Sequence, residues 1–195
     1  MKPEELIRSV LAVLVNRPED IVVEPEEQHS RILYKARVHI DDYGMAIGTK
    51  ACHVRSLSLL VHAMGLKEDT RFDLRLDAPL ADRPSVSFPP PEPPEEYDHE
   101  PARDLLGEVL ECVLVGRCQV LVSQWRISER MRTRDKDPKL EVRFEVKPDE
   151  RADLELAKEL LGIRTDNRMS IEKAIDTLWY AYGRRNGLEF TVKFS

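Results

Sequence analysis

The chain has 195 residues, 42% of them hydrophobic and 34% charged, with a formal net charge of -6. Such a composition can bury a core beneath a solvated surface, which excludes wholesale disorder, and the negative balance excludes a protein that coats nucleic acid by bulk attraction alone. The length admits one domain or two compact ones.

In chain order, Leu6, Val10, Val13 and Leu14 recur at helical spacing and predict a helix over about residues 3 to 16, ended by Asn16-Arg17-Pro18. Ile21-Val22-Val23 and the alternating run Ile32 to Ile40 predict two strands, paired as a hairpin through the polar stretch Glu24 to Ser30. Asp41 and Asp42 are placed to cap a short helix from Tyr43 to Ile47. A glycine break follows, then Val54, Leu57, Leu60, Val61 and Met64 form a second apolar helical stripe with Gly65 as its expected stop. Phe72 to Leu76 alternates as a closing strand.

Eight of the 23 residues from Pro79 to Pro101 are proline, interleaved with Glu92, Glu95, Glu96, Asp98 and Glu100. A stretch this poor in backbone donors and apolar side chains predicts an extended acidic spacer, and its PxxP spacings are the commoner property of such spacers than of adaptor ligands. The boundary therefore falls there, giving segments 1-78, 79-101 and 102-195. The charge follows the same division: residues 80 to 101 hold one Lys or Arg against six Asp or Glu, whereas residues 1 to 79 hold 11 against 13.

Beyond the spacer the order of elements recurs. Leu105, Leu106, Val109, Leu110 and Leu114 predict a helix, Gln119 to Ile127 and Leu140 to Val146 predict strands, helices follow over about 150 to 161 and 168 to 183, and Leu188 to Phe194 is a final strand. Setting Ile47-Gly48 on Leu161-Gly162, an offset of 114, places Ser56 on Ser170, Leu57 on Ile171 and Val61 on Ile175, which predicts a tandem repeat.

The run Asp42-Tyr43-Gly44-Met45-Ala46-Ile47-Gly48-Thr49-Lys50-Ala51 resembles the signature of the small single-domain KH proteins of bacteria: acidic, any, Gly, any, any, Ile, Gly, any, any, Gly. The likeness covers Met1 to about Ala78 and includes the element order. It implies an α+β fold of type II KH topology, helix-strand-strand-helix-helix-strand with a three-stranded sheet packed on helices, and the repeat extends this to two tandem KH-like domains. In such domains the GxxG loop clamps the backbone of about four nucleotides, because glycines let the main chain approach phosphate and the next helix offers free N–H groups. The resemblance thus implies that Gly48, Thr49, Lys50 and Ala51 grip single-stranded RNA or DNA, with Lys50 neutralising a phosphate, Ile47 in the groove for bases, and His53 and Arg55 facing the same strand. Ala51 stands where the family has its second glycine, and the loop closes without strain only if that position takes a negative φ.

The matching loop of the second repeat, Gly162, Ile163, Arg164 and Thr165 followed by Asp166, carries two β-branched residues and an opposing carboxylate, so a phosphate clamp is not expected from it. Its candidate surface is a basic arm of Arg126, Arg130, Arg132, Arg134, Lys136 and Lys139 between two strands, opposed by Glu129, Asp135 and Asp137. One strand and two helices over residues 139 to 185 also fit a ribbon-helix-helix DNA-binding pattern, in which the strand Leu188 to Phe194 has no place.

No catalytic constellation is present: the five histidines lack metal-ligand spacing, the serines lie outside any nucleophile elbow, and Gly44 and Gly48 precede no Gly-Lys-Ser/Thr. Trp125, Trp179, Tyr180 and Tyr182 read as core or dimer contacts before base-stacking platforms. Three cysteines form no disulfide framework, the start does not read as a signal peptide, and no run is long enough to span a membrane. The expectation is a cytoplasmic, non-catalytic binding protein without cofactor or metal, whose partner is single-stranded RNA or DNA. A homodimer or protein partner would meet the second repeat. The competing expectation is a KH-derived adaptor that docks on transcription, translation or replication machinery.

Overall fold

The computed structural model describes residues 1 to 77, 96 to 114, 118 to 126, 140 to 148 and 170 to 194. Over the first stretch, α1 (Pro3–Leu14) leads through a 3-10 turn (Pro18–Asp20) to β1 (Val22–Gln28) and β2 (Arg31–Arg37), then α2 (Ile40–Ile47), a second 3-10 turn (Thr49–Ala51), α3 (Cys52–Lys67) and β3 (Phe72–Leu76). Beyond residue 95 come α4 (Glu100–Val113), β4 (Cys118–Arg126), β5 (Leu140–Pro148), α5 (Ile171–Arg185) and β6 (Glu189–Phe194). The expected helix near 150 to 161 and most of the spacer lie outside the described residues.

Two three-stranded sheets result, ordered β1-β2-β3 and β4-β5-β6. In each, the first pair is antiparallel and the second parallel, as a hairpin followed by a helical crossover requires. Equivalent aromatic pairs seal each sheet against its helices: Tyr34 meets Phe72 edge-on at 5.6 Å, and Phe144 meets Phe190 edge-on at 5.2 Å. The chain is thus α+β with mixed sheets.

Residues Glu24 to Gln28, expected as a polar connection, belong to β1, and only His29 and Ser30 make the turn. An edge strand tolerates Pro25 and a charged outer face, and Glu24 to Arg37 at 2.7 Å and Glu26 to Lys35 pair across to β2. Gly65 does not end α3, which runs on to Lys67 and stops where Asp69 takes a left-handed φ of 51°. Gly65 is required instead by close approach, since a Cβ there would lie 2.4 Å from the Thr70 carbonyl oxygen and 2.9 Å from the Phe72 nitrogen. Gly183 of α5 meets Phe190 in the same way, with a Cβ only 2.8 Å from its nitrogen.

These equivalences correct the repeat register. Gly65 and Gly183, Asp69 and Gly187 (φ 71°), and Phe72 and Phe190 all stand 118 apart, not 114. A helical turn is about 3.6 residues, so a slip of four keeps apolar positions on apolar positions and hides the error.

One contiguous core joins the halves. Helix α3 buries Leu57, Leu60, Val61 and Met64, and also Ser56, Leu59 and Ala63, because its own sheet covers one side and α5 another. Around that central pair, α1 touches α5 and α4 touches α3.

Candidate nucleic-acid interface

The segment from α2 to α3 turns on Gly48, whose φ of +71° suits glycine. A Cβ there would also come within 2.5 Å of the His53 ring. That ring places Nδ1 2.6 Å from the Met45 carbonyl oxygen, which can only accept, so Nδ1 carries the proton and ties the last turn of α2 to the first turn of α3. His53 is half-buried under Gly48, whereas Arg55 is exposed.

Lys50 and Ala51 both take left-handed backbone, at φ 54° and 60°. The condition for a strain-free Ala51 is therefore not met: two successive left-handed residues swing the chain from α2 into α3. Ala51 occupies a conformation where glycine costs nothing and a methyl costs about 1–2 kcal/mol.

The loop amides divide into two sets. Gly48 donates to the Gly44 carbonyl at 3.0 Å and Ala51 to the Gly48 carbonyl at 3.0 Å, which closes the turn. The amides of Thr49 and Lys50 take no acceptor among the described residues, and both side chains are exposed. No described carboxylate pairs with Lys50 or Arg55. Ile47 and Ala51 are half-buried at either end.

Asp42, the acidic residue of the motif, has a role that its place in the sequence does not reveal. It is fully buried, and its carboxylate accepts from the Asn16 amide at 3.0 Å and the Arg17 amide at 2.8 Å. It thereby fixes α2 to the end of α1, where the sequence suggested a helix cap. The cap position belongs to His39. Its ring lies 2.8 Å from Arg17 Nη1 and 3.2 Å from the Asp41 amide, and both can only donate. Nδ1 accepts from the Asp41 amide as the helix cap, and the Asp41 carboxylate lies 3.4 Å from the same nitrogen.

The stretch that holds this two-helix corner is also where the sequence matches known proteins. Over 73 residues, which is 37% of this chain and 96% of the relative, the sequence is 38% identical to the RNA-binding protein KhpA of Listeria monocytogenes. The chain belongs to the KhpA family. The RNA-binding protein KhpA of Oceanobacillus iheyensis is likewise 38% identical over 58 residues, 30% of this chain and 77% of that relative. A comparison with protein-family profiles finds no match.

The KhpA-like stretch leaves most of the chain unmatched, including much that the sequence singled out. Arg126 ends β4, while Arg130, Arg132, Arg134, Lys136, Lys139, Gly162 and Arg164 lie outside the described residues. Trp179 is buried, Tyr182 packs on Phe190 at 5.4 Å, and Tyr180 is 46% exposed. Strand β6 pairs with β5, so the second half holds an element that a ribbon-helix-helix lacks. Among the described residues no group of His, Cys, Asp and Glu is placed to hold a metal, and no helix is long and apolar enough to cross a membrane.

Proposed function

We propose that this chain binds single-stranded RNA, without catalysis, by laying the sugar-phosphate backbone across Thr49 and Lys50. The observation that carries the reading is the pair of adjacent amides at Thr49 and Lys50 that take no acceptor among the described residues, beside an ammonium group that no described carboxylate neutralises. Gly48 brings the main chain close to the ligand, Ile47 offers an apolar edge for a base, and Arg55 lies one turn into α3 on the exposed side. The KhpA relatives are named RNA-binding proteins, which supports RNA over DNA.

The second half is a degenerate KH-like domain in this reading, supported by its identical strand order and directions. Its loop does not clamp nucleic acid. Carried back without a gap, the offset of 118 puts Gly48 to Ala51 on Asp166, Asn167, Arg168 and Met169, which include no glycine and begin with a carboxylate. Its contribution to RNA is the basic arm from Arg126 to Lys139, acting through phosphate charge alone.

Reversal of the Lys50 charge tests the loop. Lys50→Glu is expected to weaken binding of a fluorescent single-stranded RNA by about tenfold or more, since it removes one phosphate contact and adds a repulsion. Unchanged affinity with an intact circular dichroism spectrum would show that the loop is not the clamp. RNA absent from nuclease-sensitive pull-downs, with protein partners retained, would select the adaptor reading.

A further inference from the structure

The last turns of α3 and α5 make the same contact in opposite directions across the junction between the halves. Arg185 Nη1 donates to the Ala12 carbonyl in the last turn of α1 at 2.8 Å. Lys67 Nζ donates to the carbonyls of Glu111 and Leu114 at the end of α4, at 2.6 and 3.0 Å. Lys67 and Arg185 stand 118 apart, the offset of the other equivalent positions around these helix ends, and Ala12 and Glu111 occupy matching last-turn positions. Each half thus lends the other a cation for carbonyls that a helix end leaves without an internal donor.

The two contacts differ in what lies beyond them. Ala12 is followed by Asn16 and Arg17, whose amides are held by the fully buried Asp42 carboxylate, and Asp42 belongs to α2, which runs directly into Gly48. Arg185 also faces that carboxylate electrostatically: burial pulls the guanidinium pKa down, and Asp42 holds it up. Arg185 is therefore tied to the loop through the end of α1, the Asp42 carboxylate and the backbone of α2.

We propose that Arg185 is a positioning residue for the Gly48 to Ala51 loop, so that the second half holds the first half's loop in its RNA-binding shape. The effect on RNA rests on the function proposed above; the effect on loop geometry does not. The test uses the full chain and two readouts, affinity for a fluorescent random-sequence single-stranded RNA and hydrogen exchange at the Gly48 and Ala51 amides that close the turn. Arg185→Met is expected to speed exchange at those amides and weaken RNA binding by about fivefold or more, the usual scale of coupling between sites. Lys67→Met, which uncaps α4 instead, is expected to leave both readouts unchanged. Should Arg185→Met fail to fold, Arg185→Gln keeps an N–H for Ala12 while dropping the charge that faces Asp42, and it is expected to loosen the same amides. Unchanged exchange in a folded Arg185 variant, or equal loosening by Lys67→Met, would overturn the proposal. Wild-type protein that fails to bind RNA would refute the function above, while the exchange readout would still decide the role of Arg185.

Discussion

At the residue scale, the loop stores strain where the sequence departs from the motif of the family it resembles. The left-handed backbone of Ala51 carries about 1–2 kcal/mol that a glycine would not, and a glycine would give back about 0.5–1 kcal/mol through the freedom it adds to the unfolded chain. Ala51→Gly is therefore expected to raise stability by up to ~1 kcal/mol in urea unfolding and to leave RNA affinity no weaker. A loss of stability would mean that position 51 does not need left-handed backbone. Lys50 sits in the same region, so the charge proposed to meet a phosphate is held at a backbone cost, a pattern that recurs at functional sites. The motif exposed which residues form the loop, but not the sign of φ at Ala51, because nothing in a local sequence separates a turn with one left-handed residue from a turn with two. Nor did it reveal Asp42 as the anchor of α1, since that contact joins residues 25 and 26 apart.

At the scale of elements, α1, α3 and β3 were legible within two or three residues, because each carries one regular apolar period. Strand β1 was legible only at its start. Its second half is Glu-Pro-Glu-Glu-Gln, a composition that reads as loop and becomes strand only because Lys35 and Arg37 on β2 supply opposite charges. Gly65 misled for a related reason: a glycine near a helix end signals a stop by local chemistry, whereas this one is fixed by β3 returning against the helix. Backbone atoms cannot step aside as a side-chain tip can, so Gly65→Ala and Gly183→Ala are each expected to destabilise by about 1–3 kcal/mol in chemical denaturation, the range for overpacking. A neutral result at either site would contradict the close approach of helix and strand.

At the scale of the whole molecule, the halves form a pseudo-symmetric pair within one chain, with α3 and α5 at the centre and a reciprocal cation at each flank. The nearly all-round burial of α3 follows from this packing, where the sequence shows a single apolar stripe. The pairing itself was illegible, since it depends on contacts such as Arg185 to Ala12, 173 residues apart. The net charge of -6 gives the molecule no general attraction for polyanions, so the RNA binding proposed here rests on a local site that offers donors at short range. The most direct test is to record backbone amide resonances while titrating single-stranded RNA. The account predicts that Thr49 and Lys50 shift first and furthest, followed by Gly48 and Arg55. Saturating RNA that moves resonances elsewhere while Thr49 and Lys50 stay in place would contradict it.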